Sequence, residues 1–252
     1  MNTKFFYLGL PKSGSSSLYS YINCDKKGHE VNMNSVINII YRCQLNHSYG
    51  ALEKYLKMRA IVYGMRYDIC TMFSLIPNEM VAIFPEGKFV NLIRHPLDWS
   101  LSALRHSQYI YSCGDESYTS KYWSLVPTLM QPSQLIKLTI KKKDLLYQAV
   151  FNLLEYWIFA TQQASLAMKK AEAISVKLAS IQSYLHELSV FLENETIGSP
   201  AKFPFSNQAK SRALMEGYNC DIFQFLEQTI FPLLSKHEAL DLYESLPKIS
   251  QN

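Results

Sequence analysis

The stretch that most constrains this chain is its beginning. Residues 5–10 (Phe-Phe-Tyr-Leu-Gly-Leu) form an apolar run that reads as a buried strand. Pro11-Lys12-Ser13-Gly14 reads as a tight loop. From Ser15 the spacing predicts a helix, with Leu18, Tyr19 and Ile22 on one inward face. A strand, a glycine loop and a helix start together make a phosphate site, because the first-turn amides point at the anion and the helix dipole favours negative charge there. Gly14 allows close backbone approach, Lys12 adds a mobile point charge, and Ser15, Ser16 and Ser17 offer hydroxyls.

The loop also says which phosphate compound. Gly9-x-x-x-x-Gly14-Ser15-Ser16 nearly satisfies the nucleoside-triphosphatase pattern, but Ser15 stands where that pattern requires lysine. The only lysine of the loop lies two residues before the second glycine, which counts against a Mg-ATP site. Pro11-Lys12-Ser13-Gly14-Ser15-Ser16 instead resembles the 5′-phosphosulfate loop of sulfotransferases that use 3′-phosphoadenosine-5′-phosphosulfate (PAPS). A second segment, residues 88–102, carries an apolar strand, then Arg94, then Pro96 at a helix start, with Ser102 eight residues beyond Arg94. It resembles the 3′-phosphate motif of the same family, in which arginine and serine at that spacing hold the 3′-phosphate. A guanidinium fork suits a dianion, and the adjoining helix supplies a hydroxyl.

The resemblance implies a three-layer α/β, P-loop-like fold with a short, mostly parallel sheet flanked by helices. It implies PAPS as donor, 3′,5′-adenosine bisphosphate (PAP) as product, and no metal. Lys12 would stabilise the leaving phosphate. A short strand expected at residues 60–64 would end at Arg66-Tyr67-Asp68, beyond the carboxyl edge where α/β sheets bind ligands. Cytosolic members of the family place a lysine and a catalytic histidine two residues apart between the two motifs. Arg66 and Asp68 are similar in place and spacing, with a carboxylate for the histidine. Asp68 therefore reads either as the base or as a cap of the following helix. His106, one turn beyond Ser102 on the same helix, reads either as a group that reaches the acceptor or as a packed side chain. His29 and His47 read as surface residues. Near the C-terminus the family closes a basic loop over the nucleotide; Lys210 and Arg212, with Ser206 and Asn207, are the candidates.

Length and composition fit a single domain over residues 1–252, 48% hydrophobic and 18% charged. Residues 107–134, rich in Tyr and Ser and without periodicity, read as a lid insertion or as a packed surface excursion. A formal charge of 25 − 21 = +4 is too mild to imply nucleic-acid binding and suits an anionic cofactor. Five scattered cysteines show no metal spacing and fit reduced thiols in a cytoplasm. No targeting segment or membrane span is expected, which fits a soluble, bacterial-type enzyme. The expected activity is sulfuryl transfer to a hydroxyl or amine of a small acceptor such as a natural product, with no nucleic-acid or membrane partner and an oligomeric state the sequence leaves open. A P-loop kinase-like enzyme and a non-catalytic PAP- or PAPS-binding protein are the alternatives. Amphipathic segments at 36–45, 52–58, 145–170, 181–192, 218–234 and 237–246 read as helices, and 173–178 as a strand.

Overall fold

In a computed structural model, residues 3–46, 48–112, 143–193, 202–204 and 220–251 are described. They divide into two compact units: residues within 1–94, 160–206 and 247–252 form one, and those within 95–159 and 207–246 the other.

The first unit is built on β1 (Phe5–Tyr7), β2 (Lys27–His29), β3 (Tyr67–Ile69), β4 (Lys88–Ile93), β5 (Glu172–Lys177) and β6 (Ile249–Gln251). Their order in the sheet is β2-β3-β1-β4-β5-β6, parallel throughout except for the β5–β6 pair. The fully buried run Phe-Phe-Tyr of β1 explains its central place, since a strand covered on both faces reads as a continuous apolar run. Tyr7, Val90, Ile174 and Val176 pack with Leu18 and Tyr21 of α1 (Ser15–Tyr21), and with Leu188 and Phe191 of α7 (Leu185–Phe191). Toward the other face, Phe6 stacks on Phe84 and Phe89 and meets Phe73 edge-on. Helices α2 (Met33–Asn46), α3 (Tyr49–Tyr63) and α4 (Pro77–Ile83) complete this unit's sequence up to β4.

The expected strand at 60–64 is instead the last turn of α3, ended by Gly64 in the left-handed conformation at φ 55°. A short apolar run carries no period of its own. Here the helix-forming residues before it carry the helix on, leaving Ile61 and Val62 exposed. The strand lies further along, at β3, so Asp68 sits inside a strand rather than beyond one. Two edge strands, β2 and β6, come from segments with no strand pattern. The segment 181–192 opens as a 3-10 helix (Leu178–Tyr184) before α7.

The second unit holds α5 (Pro96–Ser112), the front of α6 (Lys143–Met168), and α8 (Cys220–Phe225), α9 (Phe231–Leu233) and α10 (Glu238–Ser245), with a π-helix at Leu226–Ile230. Its core is aromatic: Trp99 lies against Tyr156, and Tyr243 meets both His95 and Trp157 edge-on. Residues 107–112 complete α5, and the rest of the expected lid lies outside the described residues. Among the described residues no helix is long and apolar enough to cross a membrane.

At the amino edge of the sheet, Lys4, Arg66 and Lys88, each at the start of a parallel strand, converge on Glu193. Hydrogen bonding, from Lys4 first and then from Lys88 and Arg66, holds the Glu193 carboxyl down at about 2. Side chains about a third exposed are screened, so Glu193→Gln should cost only about 1 kcal/mol at pH 7. A depressed carboxylate stabilises the fold above its unfolded value, near 4.3, and less as pH falls toward its folded one. Urea denaturation should therefore show the wild-type lead at pH 7 shrinking between pH 4 and pH 2.

Candidate functional site

The loop after β1 is shaped by two left-handed residues. Ser13 N–H closes a turn onto Leu10 C=O (3.1 Å), Lys12 has φ 69°, and Gly14 has φ 99°. A Cβ at Gly14 would meet Leu178 and Leu92 at 3.2 and 3.3 Å in a conformation that L-residues avoid, so glycine is needed there. For Lys12 the same region is a strained choice, of the kind that clusters at functional sites. Helix α1 starts when Leu18 N–H bonds to Gly14 C=O (2.9 Å), so the amides of residues 15–17 precede the helical ladder, as an anion cradle requires. Ser13, Ser15 and Ser17 are buried, and Pro11 and Ser16 half-buried.

Strand order then brings in Arg94. β1 lies between β3 and β4, and the chain leaves β1 toward one side of the sheet and β3 toward the other. The crevice outside the carboxyl ends at such a switch point is where open α/β sheets bind ligands. There Arg94 Nη1 donates to Lys12 C=O (3.1 Å), setting two cations together at the ends of adjacent parallel strands. Burial, and then the Arg94 charge, lower the proton affinity of Lys12. An anion between them relieves both costs.

Histidine 29, expected at the surface, closes the other side of the loop. It ends β2, and its Nε2 lies 3.2 Å from Ser15 Oγ and 3.5 Å from Ser16 Oγ. Burial lowers its pKa, which favours the neutral ring at pH 7. Its neighbour Glu30 is left-handed at φ 54°. Glu30 Oε1 accepts from Thr71 N–H (3.2 Å) and Thr71 Oγ1 (2.7 Å). Its other oxygen is buried without a hydrogen-bond partner among the described residues. Burial lifts its pKa to about 7, against the two Thr71 bonds. The sequence signal for these residues is weak: a polar stretch without alternation or an apolar run hides a strand whose end faces the loop.

Asp68 needs correction as a candidate base. Its carboxylate is 2% exposed and receives both Arg59 Nε (2.8 Å) and Arg59 Nη2 (2.9 Å), while Arg59 Nη1 donates to Val31 C=O (2.6 Å). Both oxygens are occupied by a buried guanidinium, so the residue holds α3 to β3 rather than facing an acceptor. Ser102 and His106 lie half-buried on α5, in the second unit. Lys210 and Arg212, like Ser206 and Asn207, lie outside the described residues. No group of three or more metal-ligating side chains occurs among the described residues.

No family model matches the chain, and no curated protein matches it. Among solved structures it is similar to a crystal structure of a sulfotransferase from Alicyclobacillus acidocaldarius. Identity is 16%, coverage is 96% of this chain and 95% of that one, and the TM-score is 0.46. A likeness that distant assigns neither a family nor residue roles.

Two stability measurements separate the buried carboxyls. Asp68→Ala leaves Arg59 buried and unpaired and should cost about 3–5 kcal/mol in denaturant unfolding. Glu30, with a raised folded pKa, contributes stability that is complete below the unfolded carboxylate value and lost as pH rises through about 7. Glu30→Gln cannot ionise. Its thermal midpoint should match wild type near pH 4.5 and exceed it at pH 8.

Proposed function

We propose that this protein transfers the sulfuryl group of PAPS to a hydroxyl or amine of a small-molecule acceptor, in natural-product modification, in a cytoplasm. The observation that carries the reading is the pairing of Lys12 and Arg94 across the β1–β4 crevice, on a loop whose sequence is Pro-Lys-Ser-Gly-Ser-Ser. The chemistry of the donors fits such a nucleotide. Gly14 permits the left-handed turn that shapes the cradle, a point charge and a guanidinium fork stand at separate positions, and neutral His29 hydrogen-bonds with the loop hydroxyls without adding charge. The absence of a lysine after Gly14 speaks against a Mg-triphosphate at the same loop.

PAPS, when bound, supplies an already activated sulfuryl group. The work left to the chain is positioning and charge stabilisation. Lys12, with the amides and hydroxyls of residues 13–17, would hold the 5′-phosphate. Arg94 with Ser102 would hold the 3′-phosphate, and Lys210 and Arg212 would cover the nucleotide. Lys12 is suited to follow charge onto the bridging oxygen, because burial and Arg94 disfavour its cation until an anion arrives.

Calorimetry tests the nucleotide. PAP should bind far better than AMP or ATP, and Arg94→Ala should weaken PAP by about 1.5–3 kcal/mol, the worth of a charge-assisted bond, while sparing AMP. Equal affinity for PAP and AMP would remove the 3′-phosphate assignment. Mg-dependent binding of ATP would point to a kinase-like enzyme instead.

Transfer of labelled sulfate from PAPS tests Lys12. Lys12→Ala should lower kcat more than it weakens PAPS binding, as for a contact that strengthens in the transition state. A raised KM with kcat unchanged would make Lys12 a ground-state ligand only.

A further inference from the structure

Among the described residues the candidate site holds a buried carboxyl oxygen without a hydrogen-bond partner, and the structure offers a reason for it. We infer that Glu30 is the residue that takes the proton from the acceptor. This rests on the sulfuryl-transfer reading above and deepens it.

Glu30 follows β2 directly, at the carboxyl edge of the sheet, and its N–H bonds to Ile69 C=O at the end of β3 (3.0 Å). The residue before it, His29, touches Ser15 and Ser16 of the phosphate loop. Tyr7 of β1 donates from its hydroxyl to Ser13 C=O (3.3 Å), and the Glu30 charge adds to burial in raising the Tyr7 pKa. Glu30 thus neighbours two residues that touch the loop, His29 in sequence and Tyr7 through its charge.

Its two oxygens are treated differently. Thr71 fixes Oε1 with both N–H and hydroxyl, which aims the carboxyl, and the buried Oε2 has no partner among the described residues. Buried polar atoms are satisfied in the great majority of cases, and an exception calls for an explanation. The left-handed backbone of Glu30 adds a second cost at the same residue. Two unfavourable features on one side chain, at a ligand-binding edge, fit a group kept for chemistry.

The electrostatics suit the task. Arg59 from α3 and Asp68 from β3 both act on Glu30, and Arg59 already neutralises Asp68. Cys70 and Thr71 follow β3, Tyr7 faces from β1, and His29 precedes it on its own strand. With the Arg59 charge committed to Asp68, burial dominates and the carboxyl titrates near 7, where a general base works best. In the step itself, the acceptor O–H proton passes to Glu30 Oε2 as the acceptor oxygen bonds to sulfur. The S–O bond to the phosphate breaks, and that electron pair leaves on PAP.

The acceptor is unidentified, so the test uses water. In slow transfer of labelled sulfate from PAPS to water, Glu30→Gln should bind PAP like wild type and lose about 10²–10⁴-fold in rate, the usual worth of a general base. The wild-type rate should fall on the acid side of pH 7, and the residual Glu30→Gln rate should lack that limb. Wild-type rates in Glu30→Gln overturn the assignment. Where wild-type transfer to water is too slow to read, carbon-13 NMR of Glu30, assigned by its loss in Glu30→Gln, decides. Its midpoint near 7 should move upward when PAP and inorganic sulfate bind, since both add negative charge nearby. A midpoint that ignores them means a carboxyl sealed from the site, and overturns the role. Failure of wild type to bind PAP removes the underlying reading instead, and with it this role.

Discussion

Strand β1 is three residues long, yet it is hydrogen-bonded on both sides, to β3 and to β4, and both partners run parallel to it. A buried strand must pair its backbone groups, so this placement is obligatory once Phe5, Phe6 and Tyr7 are covered on both faces. Parallel pairing sends all three strand ends to one edge. The loop with Lys12, the strand end with Arg94 and the segment from Cys70 to Thr71 arrive there together for that reason. The candidate site is a consequence of topology before it is one of side-chain chemistry.

Charge is sorted along the same axis. At the amino edge three cations share Glu193, a network that staples the strand starts to the turn after α7. At the carboxyl edge Lys12 and Arg94 stand side by side, and the Arg59–Asp68 pair is closed on itself. Among the described residues there, Lys12 and Arg94 form an anion-seeking pair and the Glu30 carboxyl has an oxygen without a partner. The two buried carboxylates of this region differ in what faces them. Asp68 meets a guanidinium fork and acts as a strut, whereas Glu30 meets a hydroxyl and an amide on one oxygen only.

Legibility in the sequence followed local signal strength. The β1–loop–α1 segment and the Lys88–Ile93 strand were readable because apolar runs, a glycine and a proline mark their limits within a few residues. The α3–β3 boundary was misread because Ala60-Ile-Val-Tyr looks like a strand in isolation, and only the preceding helical turns and Gly64 decide otherwise. Moving that strand displaced Asp68 from the site and put Arg59, a residue with no motif around it, opposite its carboxylate. His29 and Glu30 were hidden more deeply. Their strand is three residues at a sheet edge, held by pairing to β3, which no local pattern announces.

The proposed function depends on where a nucleotide's two phosphates sit. A crystal structure of the protein with PAP tests this most directly. The expected result is the 5′-phosphate on Lys12 and the amides of residues 13–16, with the 3′-phosphate against Arg94. A nucleotide bound elsewhere, or a loop left without phosphate at saturating PAP, would contradict the account.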